Sequence, residues 1–274
     1  MNDHDELLAV AIELAQEAGR SLLGTYGEIQ AADKKADHSN VVTAADIRSE
    51  GIIVQGIRKR FPGHSIIAEE TGCDLRDSEF TWAVDPLDGT SNYAAGIPWF
   101  GVMICVLRGK LPIAGVMHIP VSGDMYTAGA GAGAYKNGLR ISVARDQKLE
   151  DVLWAFGIDC GPSDEAAGRK VALLSKILRR VRNFRTTNCL IDAAYTADGR
   201  FGGMINHSMR LWDFAAPMLI VEEAGGLYTD ITGRRLELDI SPDASAREYA
   251  VLAGAPSLHH EVAEIVNQMP NAWV

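Results

Sequence analysis

From Glu6 to about Tyr26, apolar residues Leu7, Leu8, Ile12, Leu14, Ala15, Ala18, Leu22 and Leu23 recur at helical spacing among polar neighbours. This predicts an amphipathic opening helix that closes near Gly24 and Gly27. A second helix is predicted from about Ala44 to Arg60, with Ile47, Ile52, Ile53 and Ile57 on one face and Phe61-Pro62-Gly63 as its stop. Ser65 to Ala68 and Phe80 to Val84 are short apolar or aromatic runs between charged and turn-forming residues, the pattern of buried strands. Further strands are predicted at Gly101 to Leu107, Ile113 to His118 and Met125 to Ala128, with turns at Arg108-Gly109-Lys110 and Ser122-Gly123-Asp124. The first half therefore reads as helices packed on a largely antiparallel sheet.

The second half alternates. Strands are predicted at Val152 to Phe156, Val181 to Phe184, Met204-Ile205 and Tyr249 to Ala253, with helices at Glu165 to Leu178, Leu190 to Ala197, Trp212 to Ala224 and Pro256 to Gln268. Such alternation indicates an α/β layer. The polar cluster Ser142 to Leu149 marks the boundary between the halves, without a Pro/Ser-rich linker. The stretch Gly129-Ala-Gly-Ala-Gly-Ala-Tyr135 matches neither G-x-G-x-x-G nor a P-loop. Its glycines read as turns or close backbone packing, and Lys136-Asn137-Gly138 reads as a hairpin.

Composition narrows the function classes. Of 274 residues 47% are hydrophobic and 23% charged, an ordinary globular balance. The formal net charge of -10 argues against a binder of nucleic-acid backbone and suits a protein that collects cations, although many soluble proteins are acidic for dispersion alone. Cys73, Cys105, Cys160 and Cys189 are scattered without a C-x-x-C pair, which reads as buried free thiols rather than a zinc site. With no basic leader and no bilayer-length apolar stretch, a cytoplasmic protein that does not meet a membrane is expected.

The most informative segment is Trp82-Ala-Val-Asp85-Pro-Leu-Asp88-Gly-Thr90-Ser-Asn92. A strand delivers Asp85, Pro86 stiffens the chain and Gly89 lets it turn, so two carboxylates can converge on a hard cation such as magnesium. The hydroxyls of Thr90 and Ser91 and the turn's N–H groups can face a phosphate oxygen. The same residues also make an ordinary turn. Glu69-Glu70 follows the preceding strand, where Glu69 can stand beside Asp85 or simply end a solvated strand. Asp213 opens an apolar helix, where capping is the plain alternative to facing a cation. No serine-histidine or cysteine-histidine arrangement stands out, and the histidines read as structural.

These segments, with Val42-Thr-Ala-Ala-Asp46, Trp212-Asp-Phe-Ala-Ala216 and Glu222-Glu-Ala-Gly-Gly226 in the same order, resemble the inositol monophosphatase family of lithium-sensitive, magnesium-dependent sugar phosphatases, related to fructose bisphosphatases. The resemblance covers nearly the whole chain. It implies an α+β and α/β fold, a layered αβαβα sandwich, in a homodimer. Residues 1–145 would form a helix-plus-antiparallel-sheet half with most metal ligands, and 146–274 an α/β half with Asp213 and the wall that meets the substrate alcohol. Two or three Mg2+ ions would be held by Glu69, Asp85, the Leu87 carbonyl, Asp88 and Asp213, with Asp85 bridging. Glu69 and Thr90 would position the attacking water, Asp46 would hydrogen-bond Thr90, and Gly89, Thr90 and Ser91 would receive the phosphate. Asn188, Asn206 and Asp213 would line the substrate. Lys35 falls where the family carries a lysine on a mobile loop, and also reads as a surface lysine.

Three positions depart from the family's inositol-specific members. Asn206 replaces an acidic residue, Gly202 an aspartate found in many members, and Thr187-Asn188-Cys189 a Gly-Ser-Ala segment. All three lie in the alcohol wall, so the expected substrate is a small phosphate monoester, myo-inositol 1-phosphate or a related polyol or sugar phosphate. Histidinol phosphate, fructose 1,6-bisphosphate and 3′-phosphoadenosine 5′-phosphate are the alternatives. A metal-binding regulatory protein of the same fold is the non-enzyme alternative.

Overall fold

The computed structural model describes residues 3–28, 33–34, 41–158 and 163–269. In chain order the elements of the first part are α1 (Asp3–Thr25), β1 (Asp33–Lys34), β2 (Val41–Val42), α2 (Ala44–Arg60), β3 (Ser65–Ala68), β4 (Gly72–Asp74), β5 (Phe80–Asp88), α3 (Thr90–Ala94), β6 (Gly101–Arg108), β7 (Leu111–Ile119), β8 (Asp124–Gly129), β9 (Gly133–Lys136) and β10 (Leu139–Arg140). There follow β11 (Leu153–Gly157), α4 (Asp164–Leu178), β12 (Asn183–Arg185), α5 (Ile191–Ala197), β13 (Gly203–Met209), α6 (Leu211–Glu223), β14 (Leu227–Asp230), β15 (Tyr249–Gly254) and α7 (Pro256–Asn267).

Strands β3 to β10 form an eight-stranded sheet in the order β10-β9-β8-β7-β6-β5-β3-β4. It is antiparallel except where β3 runs parallel to β5. The second sheet, β12-β11-β13-β15-β14, is parallel at β12-β11-β13 and antiparallel beyond. Helices α1 and α2 cover one face of the first sheet, α5 and α6 lie between the sheets, and α4 and α7 pack together with α7 on β15. The result is the layered αβαβα sandwich.

Both faces of the first sheet are covered, which explains its unbroken apolar strands. On one face Ile66, Trp82, Val84, Val102 and Ile104 pack with Leu14, Ile53 and Ile57 from α1 and α2. On the other, Ile67, Ala83, Met103 and Cys105 join a core that runs through Phe214 and Ile220 of α6 into Phe156, Ile205 and Leu252 of the second sheet. The inner core is therefore continuous between the sheets. The glycine-rich segment makes the β8-β9 turn, where the Glu223 carboxylate at the end of α6 accepts from the Gly131 and Gly133 N–H groups at 2.6 and 2.7 Å. Asn137 and Gly138, both at positive φ, close the β9-β10 hairpin.

Two expectations shift. The inward face of α2 is Asp46, Ser49, Glu50, Ile53 and Ile57, whereas Ile47 stands 63% exposed. Strand β5 runs on to Asp88 past a register shift against β6 between Asp85 and Asp88. Pro86, which has no N–H for the ladder, sits in that irregularity. Among the described cysteines Cys105 and Cys189 are buried and Cys73 only partly so, all three unbridged; Cys160 lies outside the described residues, as does Lys35.

Candidate active site

The parallel pairing of Ala68 with Val84 sets the ends of β3 and β5 side by side, and the Glu69 N–H extends it by donating to the Val84 carbonyl at 3.2 Å. Glu69 thereby follows β3 beside Asp85. Asp85 is 1% exposed, and its Oδ1 accepts from the Leu87 N–H at 3.1 Å. Asp88 lies beyond the bulge and accepts from the Leu190 N–H, a contact that ties the first sheet to the segment before α5. Asp213 stands in the first turn of α6, and its Oδ2 accepts from the Arg210 N–H at 2.6 Å. Pro217, one turn on, cannot donate to the Asp213 carbonyl, so α6 starts with that carbonyl outside the helical ladder.

These carboxylates act on one another. Burial, and then the charges of Glu69, Asp88 and Asp213, push the Asp85 carboxyl well above its ordinary range. Asp213 is likewise pushed up by burial and by Glu69 and Asp88, against the opposing Arg210 N–H bond and guanidinium charge. Such crowding of anions is unfavourable without a cation. Among the described residues no three His, Cys, Asp or Glu side chains close around one point as a finished ion cage. The donor set nevertheless fits magnesium, which takes hard oxygen ligands and keeps several waters, so a few carboxylates and a backbone carbonyl suffice.

Thr90 Oγ1 lies 2.9 Å from both Asp46 Oδ1 and the Leu87 carbonyl, and its single proton can serve only one of them at a time. Asp46, 0% exposed, takes the Thr43 N–H and hydroxyl on its other oxygen at 2.7 and 2.6 Å. Gly89 has φ +83°, and a Cβ there would stand 2.6 Å from the Trp99 carbonyl and 3.1 Å from Cys189 Cβ, so the turn into α3 admits no side chain without displacement. Ser91 is exposed at the start of α3.

Two of the residues expected in the alcohol wall, Asn188 and Asn206, flank Gly157, whereas Gly202 sits against Val152 and Leu258. A Cβ on Gly157 would lie 2.5 Å from Asn206 Nδ2 and 3.3 Å from Asn188 Oδ1. Asn206 is partly exposed and accepts from the Ser208 N–H at 3.1 Å, while Asn188 is exposed with φ +53°. Asn92 Nδ2 joins the two halves by donating to the Trp99 and Thr187 carbonyls at 2.9 and 3.0 Å.

Sequence reasoning passed over three buried polar residues. Ser49 Oγ donates to the Pro86 carbonyl at 2.6 Å. Glu50 accepts from the Glu70 and Thr71 N–H groups at 2.7 and 2.8 Å. Asp192 accepts from the Thr187 hydroxyl at 2.7 Å. The signal available for the first two was their i+3 and i+4 spacing from Asp46 on one helix.

With this geometry the comparisons agree. A protein named Nus factor SuhB from Salmonella typhimurium (strain LT2) is 35% identical over 231 residues, 83% of this chain and 86% of the relative. An inositol-1-monophosphatase from Mesorhizobium japonicum is 36% identical over 239 residues, 85% of this chain and 88% of its own. The crystal structure of extragenic suppressor protein suhB from Bartonella henselae superposes with a TM-score of 0.87 at 30% identity, covering 96% of this chain and 99% of that one. The family model matches residues 3–270, and the chain belongs to the inositol monophosphatase family, a family of metal-dependent phosphatases.

Proposed function

We propose that the protein is a magnesium-dependent phosphatase that hydrolyses a small phosphate monoester, a polyol or sugar phosphate such as myo-inositol 1-phosphate. The observation that carries this reading is the burial of Asp85 under the combined charge of Glu69, Asp88 and Asp213. Glu69, Asp85, the Leu87 carbonyl, Asp88 and Asp213 hold two or three Mg2+ ions in this reading. Magnesium, when bound, supplies the positive charge that acidifies a water and offsets charge on the entering and leaving oxygens. Asp46 holds the Thr90 hydroxyl so that a lone pair faces the water, and Glu69 takes the water's proton. The N–H groups of Gly89, Thr90 and Ser91 receive the phosphate, and Asn188 and Asn206 meet the alcohol beside Asp213. The division at residues 145 and 146, read from the polar cluster Ser142 to Leu149, and a cytoplasmic location belong to the same proposal, as do the homodimer and lithium sensitivity, which rest on family membership. Solution mass and lithium added to the assay read the dimer and the inhibition.

The test is phosphate release from a panel of monoesters, including histidinol phosphate, fructose 1,6-bisphosphate and 3′-phosphoadenosine 5′-phosphate, with magnesium. Asp85→Asn and Asp213→Asn are expected to lower release by about a hundredfold or more while the chain stays folded. Retained turnover in either variant refutes its assigned role. The relatives named Nus factor favour a second reading, a regulatory protein that keeps the fold and the metal site. A panel with no turnover at saturating magnesium would select it.

A further inference from the structure

Helix α2 turns a polar stripe into the protein. Asp46, Ser49 and Glu50 are 0%, 0% and 1% exposed, on the face continued by Ile53 and Ile57. A core-facing helix normally fills such positions with apolar side chains, and a carboxylate taken out of water is unfavourable unless its oxygens are bonded. Each of the three is bonded, and each to a different segment of the site: Asp46 to Thr90, Ser49 to Pro86, Glu50 to the residues after Glu69.

Glu50 grips with both prongs. Its Oε2 takes the Glu70 N–H and its Oε1 the Thr71 N–H, two charge-assisted bonds that fix successive peptide planes. The first of those planes joins Glu69 to Glu70, so the fork sets the direction in which Glu69 projects from the end of β3. Ser49 acts in the same manner on β5: its bond to the Pro86 carbonyl fixes the plane that leads into Leu87. One rigid helix therefore bonds groups that arrive on two strands, beyond the last ladder bond of the Glu69 N–H to Val84 and at the register shift after Asp85.

We propose that Glu50 is a positioning residue for the divalent-ion site, holding Glu69 in place through the Glu70 and Thr71 amides, with Ser49 as its counterpart for the Leu87 carbonyl. The proposal rests on the phosphatase reading of the site. A turn-stabilising role alone would change the stability of the chain and leave its ion affinity untouched.

The test uses full-length Glu50→Gln, which keeps the shape but sets an amide NH2 against one of the two backbone N–H groups. Magnesium and manganese binding are measured calorimetrically, beside the metal-free melting temperature and phosphate release as a function of magnesium. The divalent dissociation constant is expected to rise by about ten- to a hundredfold, the effect usual for a partner that orients a ligand. The metal-free melting temperature is expected to fall by only a few degrees, and kcat at saturating magnesium to recover most of its wild-type value. Should Glu50→Gln not fold, Ser49→Ala carries the same measurement, with weaker ion binding expected. Equal ion affinity in the wild type and the folded variant overturns the positioning role alone. A wild-type chain that binds no divalent ion overturns that role together with the phosphatase reading.

Discussion

Asp192 illustrates how a single buried group ties the site to pH. At 2% exposure it accepts from the Thr187 hydroxyl and from the Thr187 and Asn188 N–H groups, and so holds the segment that presents Asn188. Burial outweighs those bonds and pushes its carboxyl up to about 7 from 3.8. Because the folded value lies above the unfolded one, the native state retains the proton. The stability this brings is complete below 3.8 and is lost as the pH rises to about 7. The loss is at most about 4 kcal/mol. Asp192→Asn, which carries no titrating proton, is therefore expected to lack this part of the decline when melts of both proteins are compared from pH 4 to 8. Parallel profiles would refute the assignment.

At the scale of elements, α2 bonds three segments of the proposed site. Its N-cap Thr43 takes the Ala45 N–H at 3.2 Å and gives its own hydroxyl and N–H to Asp46, so the cap that starts the helix also aims the carboxylate that meets Thr90. Thr43→Val keeps the shape and removes the hydroxyl. It should cost about 1 kcal/mol of stability as a lost cap, and lower turnover by up to about a hundredfold by loosening Asp46. Denaturant titration and steady-state rates check the two effects, and a variant with wild-type turnover would detach the cap from the chemistry. Strand β5 plays the complementary part, since the irregularity around Pro86 leaves the Asp88 charge acting on Asp85, three residues away, although a regular strand would send the two to opposite faces.

For the molecule as a whole, the site is a meeting of layers. Asp85 and Asp88 come from the first sheet, Asp213 from a helix between the sheets, and Asp88 is held by the segment before α5. Burial and mutual repulsion of the crowded carboxylates disfavour their charged forms, and on the proposed reading a bound cation would relieve that. Magnesium at a hundred times its dissociation constant should thus stabilise the fold by about 2.7 kcal/mol. In metal-free buffer Asp85→Asn should melt at or above the wild type, because it removes a buried charge among like charges, and magnesium should then raise its melting temperature little. A wild-type melting curve indifferent to magnesium would contradict the linkage.

Much of this was legible from local pattern. Helix α2 begins at Ala44 and ends at Arg60, as its periodicity and Phe61-Pro62-Gly63 stop require, and β3 occupies Ser65–Ala68, the apolar run itself. The family motifs named Glu69, Asp88 and Asp213, the acidic residues whose charges act on Asp85. The short elements β4 and α3 went unread because three or five residues are too few to establish a period. The rotation of α2 went unread for a different reason. Four isoleucines pointed to one face, yet Ile47 is turned to solvent, because Asp46 finds the Thr90 hydroxyl on α3 while Ser49 and Glu50 find backbone partners on β5 and after β3. Hydrophobic spacing along the chain determines where helices and strands form. Whether a polar side chain belongs inside depends on a donor or acceptor brought from elsewhere in the chain, and only the assembled layers supply it.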